Sequence, residues 1–284
     1  VGVQLIVIDI SGGNLMKLRY WLLHGDSEHA LKRLPGNSVH LVVSSPPYAT
    51  MRDEISWKSL DEYWDKMERI MKEVFRVVKP GRVVAINMSD YIIDGERLDL
   101  IFGWHSLLKK VGFKYRDIII WKKTGELATI SAGKMASNFV KYRLPMYYYP
   151  DRVMEAILIF TKGKRVIPKY NEYITEMSRV DVSRVKDFLK NVWEFAPRQD
   201  KEHPAVFPLE LPYRLIQFYS YVGETVLDMF AGTGTTGKAA KMLNRSAVLC
   251  EMEERYVQRI KREIGWGEAS LGEFVYEYRL EEVV

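Results

Sequence analysis

Thr225-Val226-Leu227-Asp228-Met229-Phe230-Ala231-Gly232-Thr233-Gly234-Thr235-Thr236-Gly237 reads as a buried strand that runs into a glycine-rich turn and then into a helix from Gly237 to Leu243. Gly232, Gly234 and Gly237 spell GxGxxG, a spacing that lets backbone approach a ligand closely. Three ligands compete for such a turn. A nucleoside triphosphate needs a Ser or Thr after the Gly-Lys pair, but Gly237-Lys238 is followed by Ala239, so the hydroxyl that would hold magnesium is missing. A nicotinamide dinucleotide fits locally, because Ala247 to Cys250 reads as the next strand and Glu251 lies at its end, where an acid holds ribose hydroxyls. Too little chain follows Glu251 to complete a dinucleotide fold. The remaining strands must precede the loop, and the order of the sheet is permuted.

A nucleoside-type cofactor without pyrophosphate is the third ligand, held by the loop backbone and by Glu251 on its ribose. S-adenosylmethionine has that form. Working back from the loop, Val39 to Ser44 is an apolar run that ends in Ser45-Pro46-Pro47-Tyr48. The two prolines remove two N–H donors and stiffen the turn, so its carbonyls stay free. A hydroxyl, free carbonyls and the flat face of Tyr48 suit an exocyclic amino group whose base stacks on the ring; a plain Pro-Pro turn is the alternative. Tyr20 to His24 is a further strand ending in Gly25-Asp26, and Asp26 either contacts a ligand or caps the segment Ser27 to Leu34.

The apolar positions from Leu60 to Val78 recur at helical spacing, with a Ser59/Glu62 capping box ahead and Pro80-Gly81 behind. Val83 to Met88, Asp117 to Trp121 and Ala156 to Thr161 read as strands; Leu98 to Val111, Leu211 to Tyr221 and Glu254 to Ile264 read as helices. Such alternation predicts an α/β doubly wound sheet. Phe274, Tyr276 and Tyr278 predict a last edge strand, and Val3 to Ile8 another without the flanks of a secretion signal.

With 284 residues, the chain suits a single domain over 1–284, with a candidate recognition region, 124–190, inserted within it, of which 124–152 reads as irregular. Lys122, Lys134, Lys141, Arg143, Lys164 and Arg165, interleaved with Met146-Tyr147-Tyr148-Tyr149-Pro150, suit a surface that tracks phosphates and stacks on bases, although a solvated charged face has the same composition. A net charge of +5 and a pI near 9.0 permit a nucleic-acid partner. No apolar run approaches the roughly 18 residues that span a bilayer. Cys250 is the only cysteine, which excludes an internal disulfide and makes the cytoplasm the expected setting. The five histidines show no metal-ligand spacing, and no metal is expected.

With both turns in view, residues 20 to 264 resemble the β-class amino-methyltransferases, in which the catalytic motif precedes the cofactor motif. Ser45-Pro46-Pro47-Tyr48 is similar to their catalytic motif, and Asp228 to Thr236 to their FxGxG cofactor motif. Lys79-Pro80-Gly81, the Ile-Trp-Lys ending at Lys122, and His203-Pro204-Ala205-Val206-Phe207-Pro208 match further landmarks. The resemblance implies a Rossmann-like seven-stranded mixed sheet with helices on both faces. It implies S-adenosylmethionine held by Asp26, His203, Pro204, Phe207, Asp228, Phe230, Ala231, Gly232, Gly234, Thr235, Thr236 and Glu251. It also implies that Ser45, Pro46, Pro47 and Tyr48 act on a flipped-out cytosine N4 of DNA. Adenine N6, an RNA cytidine, and a catalytically silent nucleic-acid-binding module are the competing readings. A cognate restriction endonuclease and a homodimer are the further partners that the resemblance allows.

Overall fold

In the strands Val39–Ser44 and Ser246–Glu251 both faces are apolar, the mark of strands buried under helices on two sides. Val42 and Val248 face one core while Leu41, Val43, Ala247 and Leu249 face the other. The computed structural model describes residues 16–48, 57–93, 96–125, 137–148, 150–198, 200, 206–271 and 273–283. The strands are β1 (Met16–His24), β2 (Val39–Ser44), β3 (Val78–Met88), β4 (Tyr91–Ile93), β5 (Glu96–Leu98), β6 (Lys114–Lys123), β7 (Met154–Thr161), β8 (Val192–Phe195), β9 (Thr225–Asp228), β10 (Ser246–Glu251), β11 (Ser270–Leu271) and β12 (Phe274–Glu282). The α-helices are α1 (Ser27–Ala30), α2 (Leu60–Val77), α3 (Leu100–Val111), α4 (Ser137–Tyr142), α5 (Glu172–Met177), α6 (Val182–Val185), α7 (Glu210–Tyr219), α8 (Thr235–Met242) and α9 (Glu254–Glu263).

The main sheet has ten strands in the order β11-β12-β1-β10-β9-β2-β3-β7-β6-β8, and the pair β4-β5 stands apart. The expected seven strands form its centre, from β1 to β6. The sheet is wider than expected because β12 pairs with β1 along its whole length, β11 folds back on β12, and β8 adds to β6. β7 runs antiparallel to both its neighbours, which makes the sheet mixed. The predicted tail strand is β12, while the strand expected over residues 3–8 lies outside the described residues.

β9 and β10, late in the chain, sit between β1 and β2, early in the chain. This is the permuted order in physical form. From β9 the chain moves through α8 to β10 on one side; from β2 it moves through α2 to β3 on the other. The sheet therefore has a topological switch point between β9 and β2, where open α/β sheets bind ligands beyond the carboxyl ends of the strands. The turn after β2 is Ser45-Pro46-Pro47-Tyr48, and the turn after β9 is the glycine loop.

α2 starts as its capping signal predicts: Ser59 Oγ accepts from Glu62 N–H at 3.1 Å. Glu62 returns its carboxylate to the Lys58 N–H, not to that of the cap residue. Tyr63, Met67, Ile70, Met71, Val74 and Val77 make its buried stripe, packed with α3 and one face of the sheet. α7, α8 and α9 cover the other face. No described helix is long and apolar enough to cross a membrane.

Candidate active site

A cavity of about 230 Å³ opens at the switch point, lined by Asp26, Ser45, Pro46, Pro47, Tyr48, Trp57, Lys66, Phe207, Phe230, Ala231, Gly232, Thr233, Thr235, Glu251, Met252 and Tyr256 among others. The two turns singled out in the sequence thus face one space. His203 and Pro204 lie outside the described residues, but Val206 and Phe207 of the same segment reach the wall.

The glycine loop is shaped for close approach. Gly232 and Gly234 have φ of +51° and +84°, in the left-handed region that glycine tolerates. A Cβ on Gly234 would press on Ile260, and one on Gly237 would come within 2.6 Å of Leu249 Cδ1, so these two glycines seat α8 against its neighbours. Ala231 N–H donates to Cys250 O at 2.9 Å and ties the loop to β10.

Glu251 forms the polar corner of the cavity. Its Oε2 accepts from Gly232 N–H at 2.7 Å, and its Oε1 from Met252 and Glu253 N–H at 2.9 Å each. These occupy three of the roughly four acceptor positions of a carboxylate and leave one on Oε2 for a ligand. Burial pushes the carboxyl up to about 7, against the pull of the three N–H donors. A buried acceptor beside a bare glycine backbone, with Phe230, Met252 and Tyr256 around it, fits a nucleoside with hydroxyls and an apolar base.

Asp228 and Thr236, expected at the cofactor, stand behind the wall instead, and Gly234 does so as well. Asp228 is fully buried, with Oδ1 accepting from Ser44 Oγ at 2.6 Å and from Phe230 N–H at 3.1 Å, and Oδ2 from Thr236 Oγ1 at 2.6 Å. Burial raises its carboxyl despite these donors. Its position inside β9 aims the side chain at the strand's neighbours, so it bolts the last residue of β2 to the first turn of α8. The Ser45 turn and the glycine loop are held together through it.

Asp26 takes the capping alternative and also faces the cavity. It caps α1, with its side chain accepting from Glu28 N–H at 2.9 Å, and it also lines the cavity. Lys66 of α2 donates to Asp26 Oδ1 and Glu28 Oε2, both at 2.9 Å, and reaches the same wall. No local pattern marks Lys66, since the contact spans two separate elements.

At the other end of the cavity Ser45 Oγ donates to Asn87 O at 3.2 Å. The Asn87 side chain donates to Glu155 Oε2 at 2.6 Å, and Glu155 Oε1 meets Lys123 Nζ at 2.8 Å with both side chains only 11 % exposed. Sequence reading passes over this chain of contacts, whose members come from β3, β7 and β6. The Tyr48 ring lies 5.8 Å from that of Tyr91, which braces it from β4.

The basic residues divide. Lys122 is exposed and pairs with Glu194 at 3.2 Å, and Lys141 and Arg143 are exposed on the segment that leaves β6. Lys134 lies outside the described residues. Lys164 and Arg165 stand apart from these: they follow Thr161, which pairs with Val83, whereas Ser44 pairs with Ile86 further along β3. Along β7 that puts Thr161 three residues from Leu158, the residue level with Ser44, or about 10 Å at roughly 3.3 Å per residue, with Lys164 and Arg165 further along the chain. Among the described residues no His, Cys, Asp and Glu side chains group so as to hold a metal ion.

Known proteins carry the same plan. A DNA methylase family model matches residues 39–262. The type II methyltransferase M.MjaI of Methanocaldococcus jannaschii is 30 % identical over 88 % of this chain and 93 % of its own. M.MthZI of Methanothermobacter thermautotrophicus, also a type II methyltransferase, is 27 % identical over 82 % and 73 %. A DNA modification methylase homologue from Thermus thermophilus, TTHA0409, solved in complex with S-adenosyl-L-methionine, superposes with a TM-score of 0.70 at 30 % identity, covering 91 % of this chain and 99 % of that one. The PvuII DNA methyltransferase, at 21 % identity and a TM-score of 0.69 over 92 % of each chain, shares the fold.

Proposed function

Because the chain belongs to the N6/N4 DNA methylase family, we propose that it is a β-class modification methylase acting on the N4 amino group of a cytosine turned out of duplex DNA. Its cofactor is S-adenosylmethionine, which when bound supplies a methyl group on an electrophilic sulfonium. Asp26, Phe207, Phe230, Ala231, Gly232, Thr235 and Glu251 are the residues to hold it, with His203 and Pro204 added by resemblance. Asp228, Gly234 and Thr236 keep their place in the site by shaping the loop from behind.

Ser45 carries the reading. Its hydroxyl hydrogen goes to Asn87 O, so only lone pairs are left to offer the cavity. An exocyclic amine is a poor nucleophile because its lone pair is delocalised into the ring, and it needs positioning more than a strong base. Ser45 Oγ and the Pro46 carbonyl accept from its two N–H groups and aim the nitrogen, while Tyr48 stacks on the base. Ser45 is too weak a base to remove a proton from the ground state, so the proton departs during or after transfer. Serine at this position usually accompanies cytosine N4 in the resembled family, whereas Asp or Asn usually accompanies adenine N6.

A paired base cannot reach such a pocket, so the target nucleotide leaves the stack. Incubation with unmethylated DNA, RNA and labelled cofactor, followed by nucleoside mass spectrometry, tests the assignment. N4-methyldeoxycytidine is expected. N6-methyldeoxyadenosine would overturn the base, N4-methylcytidine alone would move the substrate to RNA, and no product would leave a silent binding module.

A further inference from the structure

From Leu127 to Pro150 the chain has no acidic residue, and its basic ones are Lys134, Lys141 and Arg143. The described part of this stretch carries six of the exposed large apolar side chains among the described residues. Val140, Leu144 and Tyr148 are each more than half exposed, and Met146 is 95 % exposed. Isolated apolar side chains on a surface need no explanation, but a contiguous set at one turn marks an interaction site.

The turn is stiff. Pro145 opens a single 3-10 turn, Pro145–Tyr147, and the Tyr147 ring stacks on Tyr142 of α4 with centroids 4.5 Å apart. Lys141 Nζ lies 5.0 Å from the centre of the Tyr142 ring. Met146 is therefore presented outward from a braced turn, with cationic groups beside it.

Its place follows from the strand pairing. Lys123 N–H donates to Val153 O at 2.7 Å, so the segment between them leaves and rejoins the sheet at one end. At its foot Arg152 donates to Ser89 Oγ at 2.9 Å, two residues beyond Asn87, whose carbonyl takes the Ser45 hydroxyl. The apolar turn thus rises from the same end of the sheet as the Ser45 turn.

A base turned out of a duplex leaves a hole in the stack, and apolar side chains that enter such a hole hold the neighbouring bases apart. We propose that Met146 is this wedge: it enters the DNA duplex at the position vacated by the target base, while Lys141 and Arg143 take the flanking phosphates. An unbranched thioether fills an irregular gap without a fixed shape of its own. The assignment rests on the proposed reaction and adds to it the residue that stabilises the open duplex.

The test uses the full chain and oligonucleotide duplexes built around the site mapped from methylated product, with the target base either paired or placed opposite an abasic residue. Met146→Ala is expected to lower kcat/KM on the paired duplex by about tenfold or more, and on the abasic-opposed duplex by less than about twofold. Cofactor affinity should stay at the wild-type value, and Met146→Leu should restore most of the paired-duplex rate. Equal losses on both duplexes, or none on the paired one, would overturn the wedge while leaving the methylase reading intact. No methyl transfer to any DNA by the unaltered chain would overturn the parent reading and the wedge with it.

Discussion

On the β9–β10 side of the cavity the wall is largely backbone: Glu251 is gripped by three N–H groups, and the loop passes through two glycines at positive φ. On the β3–β6–β7 side it is side chain on side chain, from Ser45 through Asn87 and Glu155 to Lys123, and beyond that the surface opens into Leu144, Met146 and Tyr148. Backbone donors cannot be substituted away and accept one invariant cofactor. Side chains on separate strands can change independently, which suits the half that meets a variable target.

Asp228 joins the two halves, so breaking it gives the largest effect. Asp228→Ala leaves Ser44, Thr236 and the Phe230 N–H without their acceptor, and a loss of about 3 to 5 kcal/mol of stability is expected in urea unfolding. Cofactor affinity and methyl transfer should fall together, whereas an unchanged unfolding midpoint would show that the bolt is dispensable. Ser45→Ala acts on one half alone. Turnover should drop about 100-fold in single-turnover assays, the size of losing one positioned polar contact to the reacting group. Calorimetry should find cofactor binding near normal; a parallel fall would assign Ser45 a structural role.

The cofactor half has its own lever in Glu251. Removing its acceptor with Glu251→Ala should weaken cofactor binding by about 1 to 3 kcal/mol. Its carboxyl is raised to about 7 by burial, so below that pH it takes up a proton and becomes a weaker acceptor for a ligand hydroxyl. Binding therefore strengthens as pH rises and levels off above about 7, with Kd growing by at most about tenfold for each pH unit below. Glu251→Gln should flatten the profile, and a wild-type profile that is already flat would remove Glu251 from the linkage. The smallest effects belong to the surface. Replacing Lys141 or Arg143 with Ala should each reduce the salt slope of DNA binding by about one, while the same change at Lys164 or Arg165 should leave it unaltered.

The contrast also explains what could be read in advance. The glycine loop, the Pro-Pro turn and the acid after β10 are local: each needs only a few consecutive residues whose backbone requirements appear in the residue types themselves. Helix α2 announced its cap and its buried stripe for the same reason. Ser44 carries a fainter signal, a polar residue at the end of an otherwise apolar strand, and its partner Asp228 reads as a ligand contact because the motif shows residue types and not directions. Lys66, Asn87, Glu155 and Lys123 had no such signal.

Sequence by itself determined the alternation of strands and helices, the permuted order and the two turns that face the cavity, because hydrophobic period and turn chemistry act over short stretches. Only the tertiary structure decided which polar groups meet. The basic residues chosen from 124 to 190 belong to one stretch of the chain, yet β7 carries Lys164 and Arg165 to the far end of the sheet from Lys141 and Arg143. Strand direction sets that separation, and it depends on pairing between segments distant in the chain. The same pairing brings Asn87 of β3 and Glu155 of β7 together across 68 residues, a contact that neither segment's own sequence can specify.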